Sequence, residues 1–302
     1  MNAPSSAHSR GFPAVIGGAV AIGTAAIFMR LTDVNPTAAA FWRVTLALPL
    51  LYFWLKLDSA GENKRKQNGV AVKTDKRALV IGALIVGFWF SADLFLWHWS
   101  VAKTTVANAT LLANMAAVFT ALAGFLFFGQ RFGRMFLSGL ILALAGAAVL
   151  VGQTASINPD FLVGDVLGLL TAVAYAGYII FAARYRGLMT TPQLMFGSAF
   201  TTAIFLLPVA LFESGNFWPS GLAGWLPLLG LAWIAHIVGQ SLIIYGLAHV
   251  SAAMGSISLL IQPVFSALLA WWIFDEALGT AHLVGALLIF AGISVARKAG
   301  RK

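Results

Sequence analysis

Residues 242–295 read LIIYGLAHVSAAMGSISLLIQPVFSALLAWWIFDEALGTAHLVGALLIFAGISV, and residues 96–149 read LWHWSVAKTTVANATLLANMAAVFTALAGFLFFGQRFGRMFLSGLILALAGAAV. Slid over one another by about 146 positions, they coincide at roughly 15 of about 54 residues without a gap. The coincidences include Ala102/Ala248, Val118/Val264, Phe119/Phe265, Leu122/Leu268 and Phe128/Phe274. Three further ones are glycines held in phase, Gly133/Gly279, Gly139/Gly285 and Gly146/Gly292. Shared hydrophobicity would match apolar letters at random but would not keep three glycines in phase. The chain reads as an internal duplication.

The medium around it follows from composition. Of 302 residues, 60% are hydrophobic and 10% charged, where a soluble domain carries about a quarter charged. Most of the surface must therefore face lipid. The net charge of +9 is split into short clusters between apolar runs, which makes nucleic acid a poor partner. With no cysteine in the chain, disulfides, thiolate metal sites and covalent thiol chemistry are excluded. The first apolar run follows a single arginine, Arg10, as a secretory signal might, but it belongs to one of the duplicated halves and is expected to be retained.

A spanning helix needs about 20 apolar residues. That length predicts an all-α membrane protein of ten helices: α1 12–29, α2 35–57, α3 78–101, α4 104–128, α5 133–152, α6 163–183, α7 190–212, α8 223–247, α9 251–274 and α10 279–296. The first repeat then runs over 1–152, with one sizeable hydrophilic connector (58–77), and the second over 153–302. The core of that connector, GENKRKQNGVAVKTDK, is expected to have no fold of its own.

Lysines and arginines test this count. With the N-terminus in the cytoplasm, the inner side receives Arg10, the connector with Lys56, Lys64, Arg65, Lys66, Lys73, Lys76 and Arg77, then Arg131, Arg134, Arg184 and Arg186, and the tail with Arg297, Lys298, Arg301 and Lys302. The outer side receives only Arg30 and Lys103. Positive residues collect on the cytoplasmic side of membrane proteins, so both termini are expected there. Five helices per repeat is an odd number, so the second copy must enter the membrane from the opposite face. Inverted repeats with a substrate site near the midplane are characteristic of secondary transporters.

The stretch SAAMGSISLLIQPVFSALLAWWIFDEALGTAHLVGALLIFAGI resembles the second repeat of EamA-type members of the drug/metabolite transporter superfamily. The features that carry the resemblance are the small residues Ser251–Ala253, mid-helix Pro263, acidic Glu276, and Gly285 and Gly292. Gly23 in α1, Pro36 opening α2, Arg43 within α2 and the α6 opening GDVLGLLTAVAYAGY agree with it. Two positions depart: Ala117 and Gln130 stand where the second repeat has Pro263 and Glu276. The aromatic content of α3 is similar to that of the bacterial aromatic amino acid exporters of this superfamily. The resemblance implies a multi-pass protein of a bacterial inner membrane that exports small organic solutes, often amino acids. It also implies a central cavity lined by α1, α3, α4, α6, α8 and α9, with α5 and α10 towards a scaffold or dimer side. A monomer and a homodimer both fit, and no cofactor is implied.

Polar residues within the spans are costly in lipid and so draw attention. Asp93 lies in the outer half of α3, with Trp89 and Trp97 four residues to either side on its face. Arg43 lies at similar depth in α2, so the two could form a structural ion pair, or one of them could meet substrate charge or a proton. On α9, Ser251, Gly255, Ser258, Gln262 and Ser266 share a face, although small residues also serve plain helix packing. Pro263 has no N–H and should free the Leu259 carbonyl, bending the helix into part of a gate. His236 and Gln240 on α8, and Thr171, Tyr175 and Tyr178 on α6, are further wall candidates. A lone buried histidine, however, is commonly a packing residue. Asn108 and Asn114 on α4 lie about 120° apart and cannot both face a lumen. His98 and Trp99 are expected at the outer interface.

Other functions fit less well. A primary pump needs a phosphate-binding GxxxxGK[ST] stretch, which is missing. An intramembrane protease needs a second membrane aspartate, HExxH or a GxSxG serine, and none is present. The expected solute is a neutral or aromatic amino acid, with protons as a candidate coupling ion. A channel-like uncoupled facilitator is the alternative, and an integral-membrane enzyme a remote one.

Overall fold

The computed structural model describes residues 6–67, 76–152, 158–275 and 277–299, and no strand occurs among them. Among the described residues nine helices are long and apolar enough to cross a membrane: α1 Arg10–Leu31, α2 Pro36–Ala60, α3 Lys76–Lys103, α4 Asn108–Phe128, α6 Pro159–Tyr185, α7 Thr191–Phe212, α8 Gly221–Leu247, α9 Ala252–Phe274 and α10 Thr280–Ala299. A shorter apolar helix, Arg134–Leu150, is α5 and completes the ten. One expectation fails at the connector. The helix begun in α2 continues to Gln67, past the last apolar residue, because Glu62, Lys64, Arg65, Lys66 and Gln67 are straight-chain residues that favour helix in water. Glu276 lies outside the described residues.

The two-fold relation of the repeats can be read from individual contacts. A methyl group added to Gly139 would come within 2.7 Å of the Gly292 carbonyl oxygen, and one added to Gly146 within 2.7 Å of the Gly285 carbonyl oxygen. Gly139 and Gly146 are the sequence equivalents of Gly285 and Gly292, so α5 and α10 make the same contact twice with the roles exchanged. Only a two-fold axis produces that reciprocity. Between antiparallel helices it lies in the membrane plane. Phe90 and His236, also equivalent at the same offset, stack on one another at 5.3 Å. A residue touching its own equivalent must sit beside the axis. The repeats are therefore inverted.

Local backbone repeats as well. α4 ends on Gly129 in the left-handed region (φ 62°, ψ 19°), its N–H donating to the Gly124 carbonyl. α9 ends on the equivalent Asp275 (φ 54°, ψ 29°), its N–H donating to Ala270. Both helices also break at equivalent points. In α4 the helix stops at Ala113 and resumes at Ala116. In α9 a 3-10 turn over Leu259–Ile261 separates two α segments.

The ends tie one repeat to the other. Asn35 caps α2 by accepting the Ala38 N–H at 2.6 Å, ahead of Pro36 at the first turn. On α7, Thr190 and Gln193 form a reciprocal capping box. At the end of the bundle where α1 passes into α2, the Trp42 indole N–H donates to the Phe217 carbonyl at 2.9 Å, and its ring meets Trp225 edge-on at 4.9 Å. Asp33 accepts the Ser220 N–H at 2.8 Å, which holds its carboxyl below the usual carboxylate range. At the other end Thr190 donates to Asp58 at 2.5 Å.

Candidate functional site

Between the repeats lies an open cavity with about 830 Å³ of empty space including its mouth. Its wall draws on α1, α3, α4, α6, α8 and α9, with α2 contributing Arg43. Most of the lining is apolar and small, Ala25, Ala26, Ala113, Ala116, Ala117 and Pro263 among it.

Seven of the residues singled out from sequence meet here: Arg43, Asp93, Trp97, Tyr175, Gln240, Gln262 and Pro263. Thr171, Ser266 and Asn114 join them. Arg43 and Asp93 are 3% and 8% exposed and within electrostatic reach of one another, yet no hydrogen bond or salt bridge joins them. Both line the cavity. A carboxylate in a membrane helix costs about 2–3 kcal/mol on insertion scales, and here no direct partner offsets it.

Four residues on this wall carry a buried polar atom without a hydrogen-bond partner: Arg43 at Nε, Asn114 at Nδ2, Tyr175 at Oη and Gln262 at Nε2. The Tyr175 hydroxyl lies near the carboxamides of Gln240 and Gln262 but reaches neither with hydrogen-bond geometry. An unpaired buried polar group costs about 1–3 kcal/mol. Four around one cavity mark a surface shaped for a polar occupant.

Four candidates lie elsewhere. Tyr178 stands behind the wall, fully buried, donating to Gln240 Oε1 at 3.2 Å; it orients Gln240 instead of facing the lumen. Trp89 turns from Asp93 towards α6, where a side chain on Gly177 would strike its ring at 2.5 Å, and it stacks with Phe181. The indole fills the space that the glycine leaves. Ser258 bonds back to the Met254 carbonyl at 2.8 Å, satisfied within its own helix. His236, 1% exposed, stacks on Phe90 with neither ring nitrogen partnered.

Two further expectations are corrected. Pro263 does not leave the Leu259 carbonyl free, because the 3-10 turn lets the Gln262 N–H take it. His98 is not an interface anchor: it is fully buried, its Nδ1–H donating to the Leu94 carbonyl at 2.6 Å. Trp99 does sit at the rim, with Lys103 5.6 Å above its ring and its N–H on Thr37. Of the two asparagines only Asn114 faces the cavity; Asn108 and Thr104 both donate to Asp165, tying α4 to α6. Thr110 and Ser256 line the cavity without having been singled out, as lone hydroxyls on small-residue faces that nothing in the sequence distinguishes from packing.

The family model described as "EamA-like transporter family" matches this chain twice, over residues 9–152 and 162–297. The pseudopaline exporter CntI of Pseudomonas aeruginosa is 26% identical over 249 residues, 82% of this chain and 81% of that protein. A probable terminal-alkyne amino-acid exporter of Streptantibioticus cattleyicolor is 27% identical over 219 residues, 72% of each. A solved structure titled "Crystal structure of protein" superposes with a TM-score of 0.72 at 22% identity, over 98% of this chain and 99% of that one.

Proposed function

This chain belongs to the EamA-like transporter family, and from that premise we propose that it exports neutral or aromatic amino acids, or close metabolites of them, from the cytoplasm by alternating access. It is a multi-pass membrane transporter; the substrate and the mechanism are our reading. What carries that reading is the cavity between two inverted repeats. Trp97 and Tyr175 offer apolar faces, Gln240 and Gln262 uncharged polar groups, and Asp93 and Arg43 unlike charges without a bond between them. A solute with a modest apolar side chain and a polar head suits such a wall. The names of the relatives, two of them exporters and one an amino-acid exporter, point the same way.

In this reading Asp93 meets a substrate ammonium or a coupling proton, the α9 break next to Pro263 forms part of the gate, and Tyr178 and His236 support the wall from behind. The repeats divide at residues 152/153, in an inner membrane with both termini cytoplasmic. Purified protein in liposomes, loaded with radiolabelled amino acids with and without an imposed pH gradient, tests it. Saturable flux that responds to the gradient is the expected result. Saturable flux blind to the gradient would make the protein a facilitator. Flux of sugars or lipophilic cations alone would remove the amino acid reading. Labelling of an Arg65→Cys variant only from outside the cell would overturn the orientation.

A further inference from the structure

We infer that Arg43, Asn114 and Gln262 form a carboxylate subsite in the cavity, set against Asp93 as the receptor for an ammonium group, so that the solute is selected as a zwitterion. The inference rests on the amino-acid reading above and adds which end of the solute meets which residue.

The argument is an inventory of donors and acceptors. Arg43 Nε, Asn114 Nδ2 and Gln262 Nε2 are buried N–H groups without partners, and they come from three helices, α2, α4 and α9, onto one cavity. Gln240 adds donors: its Oε1 is occupied by the Tyr178 hydroxyl at 3.2 Å, which leaves its NH₂ for the cavity it lines. Against these stands a single anionic acceptor, Asp93, which bonds none of them. A lining so rich in N–H groups calls for an occupant rich in acceptors. A guanidinium is planar and matches a carboxylate with two parallel hydrogen bonds. A phosphate would bring up to two negative charges into a cavity that already holds Asp93, whereas a carboxylate brings one and, in a zwitterion, also the ammonium that answers Asp93. Tyr178 is on this view a positioning residue, fixing which face of Gln240 the solute meets.

The wild-type protein tests this in liposomes. The amino acid it moves fastest is competed with its own amide, its decarboxylated amine and its N-acetyl derivative. The amide and amine should compete at least tenfold less well, since each leaves the donors unanswered, and the N-acetyl compound should also fail. In Arg43→Gln the preference for acid over amide should fall towards one while discrimination against the N-acetyl compound remains. Asp93→Asn should do the reverse. Should Arg43→Gln not fold, Asn114→Ala should narrow the acid-to-amide ratio several-fold. Equal competition by the amide and amine in the wild type overturns the subsite while leaving amino acid export standing. If no amino acid moves while another solute class does, the amino-acid reading fails and takes the subsite with it.

Discussion

The first repeat brings both charges of the cavity, Arg43 on α2 and Asp93 on α3, whereas the second brings Tyr175, Gln240 and Gln262, none of them a charged group. A two-fold axis relates the two scaffolds and their helix breaks coincide, but the π-helical turns over Leu231–Gln240 have no counterpart in the regular α3, so the walls differ in side chains and in the winding of α8. Position 239, the equivalent of Asp93, is a glycine, and a methyl group there would meet Ile22 at 2.6 Å. A symmetric scaffold thus holds a polar, charged wall against an uncharged one, and an asymmetric solute has a preferred way round in it. The break in α4 teaches a second point. It occurs with Ala117 where α9 has Pro263, so proline is not what creates the break in this fold.

Destroying the shared scaffold should have the largest effect. Gly292→Val would drive a side chain onto the Ala143 backbone nitrogen, 2.4 Å from an added methyl group. Little folded protein should be recovered by size-exclusion chromatography in detergent, and Gly146→Val at the equivalent position, which meets backbone at 2.7 Å, should fail equally. A large inequality between them would argue against the axis.

Next comes the charged wall. Asp93→Asn should lower initial flux tenfold or more while folded yield stays near wild type, because no ion pair is lost. Collapse of yield would instead mean that Arg43 depends on Asp93 for stability. Gln240→Ala on the opposite wall should cost less, about fivefold or below, as expected for one neutral hydrogen bond.

Smaller effects should separate the two breaks. Pro263→Ala should change transport rate a few-fold with folded yield unaltered. Ala117→Pro should be tolerated, since the Ala117 N–H makes only a 3.3 Å bond to the Asn114 carbonyl and the ladder is already interrupted there. Loss of folded protein in Ala117→Pro would show that the two breaks are not equivalent.

The smallest effect concerns the tie between Asp33 and Ser220. Asp33 is held below its ordinary range by the Ser220 N–H and hydroxyl, so its contribution is present above the unfolded carboxylate pKa of about 3.9 and is lost as pH falls through the lower folded value. Acidification below about pH 4 should therefore speed proteolytic nicking between residues 213 and 220, and Asp33→Asn should abolish that pH dependence.

Much of this architecture was legible because lipid demands long apolar runs and because α5 and α10 touch through backbone. Of the three glycine pairs that revealed the duplication, two are the ones where a side chain would strike a neighbouring helix, Gly139, Gly146, Gly285 and Gly292. The cavity was partly legible: Asp93, Trp97, Tyr175, Gln240 and Gln262 stand out as polar or aromatic letters in apolar helices. What failed depended on winding and on neighbours. Trp89 was placed by regular helical spacing, but the gap at Gly177 turned it away. The π-helical turns over Leu231–Gln240 widen α8 where His236 and Gln240 sit, and no residue type announces such turns. Ser258 was misjudged because a serine in a helix can satisfy itself on the preceding turn.

The crossing of α5 and α10 has a kinematic consequence. Contacts between backbones have no rotamers to exchange, so this joint cannot loosen by small side-chain rearrangements as a leucine-packed interface can. In the alternating-access cycle proposed above, these two helices would serve as a fixed frame. Spin labels placed across α5 and α10 should then keep one distance distribution through the transport cycle, while labels on α1 and α4 measured against that frame report the stroke.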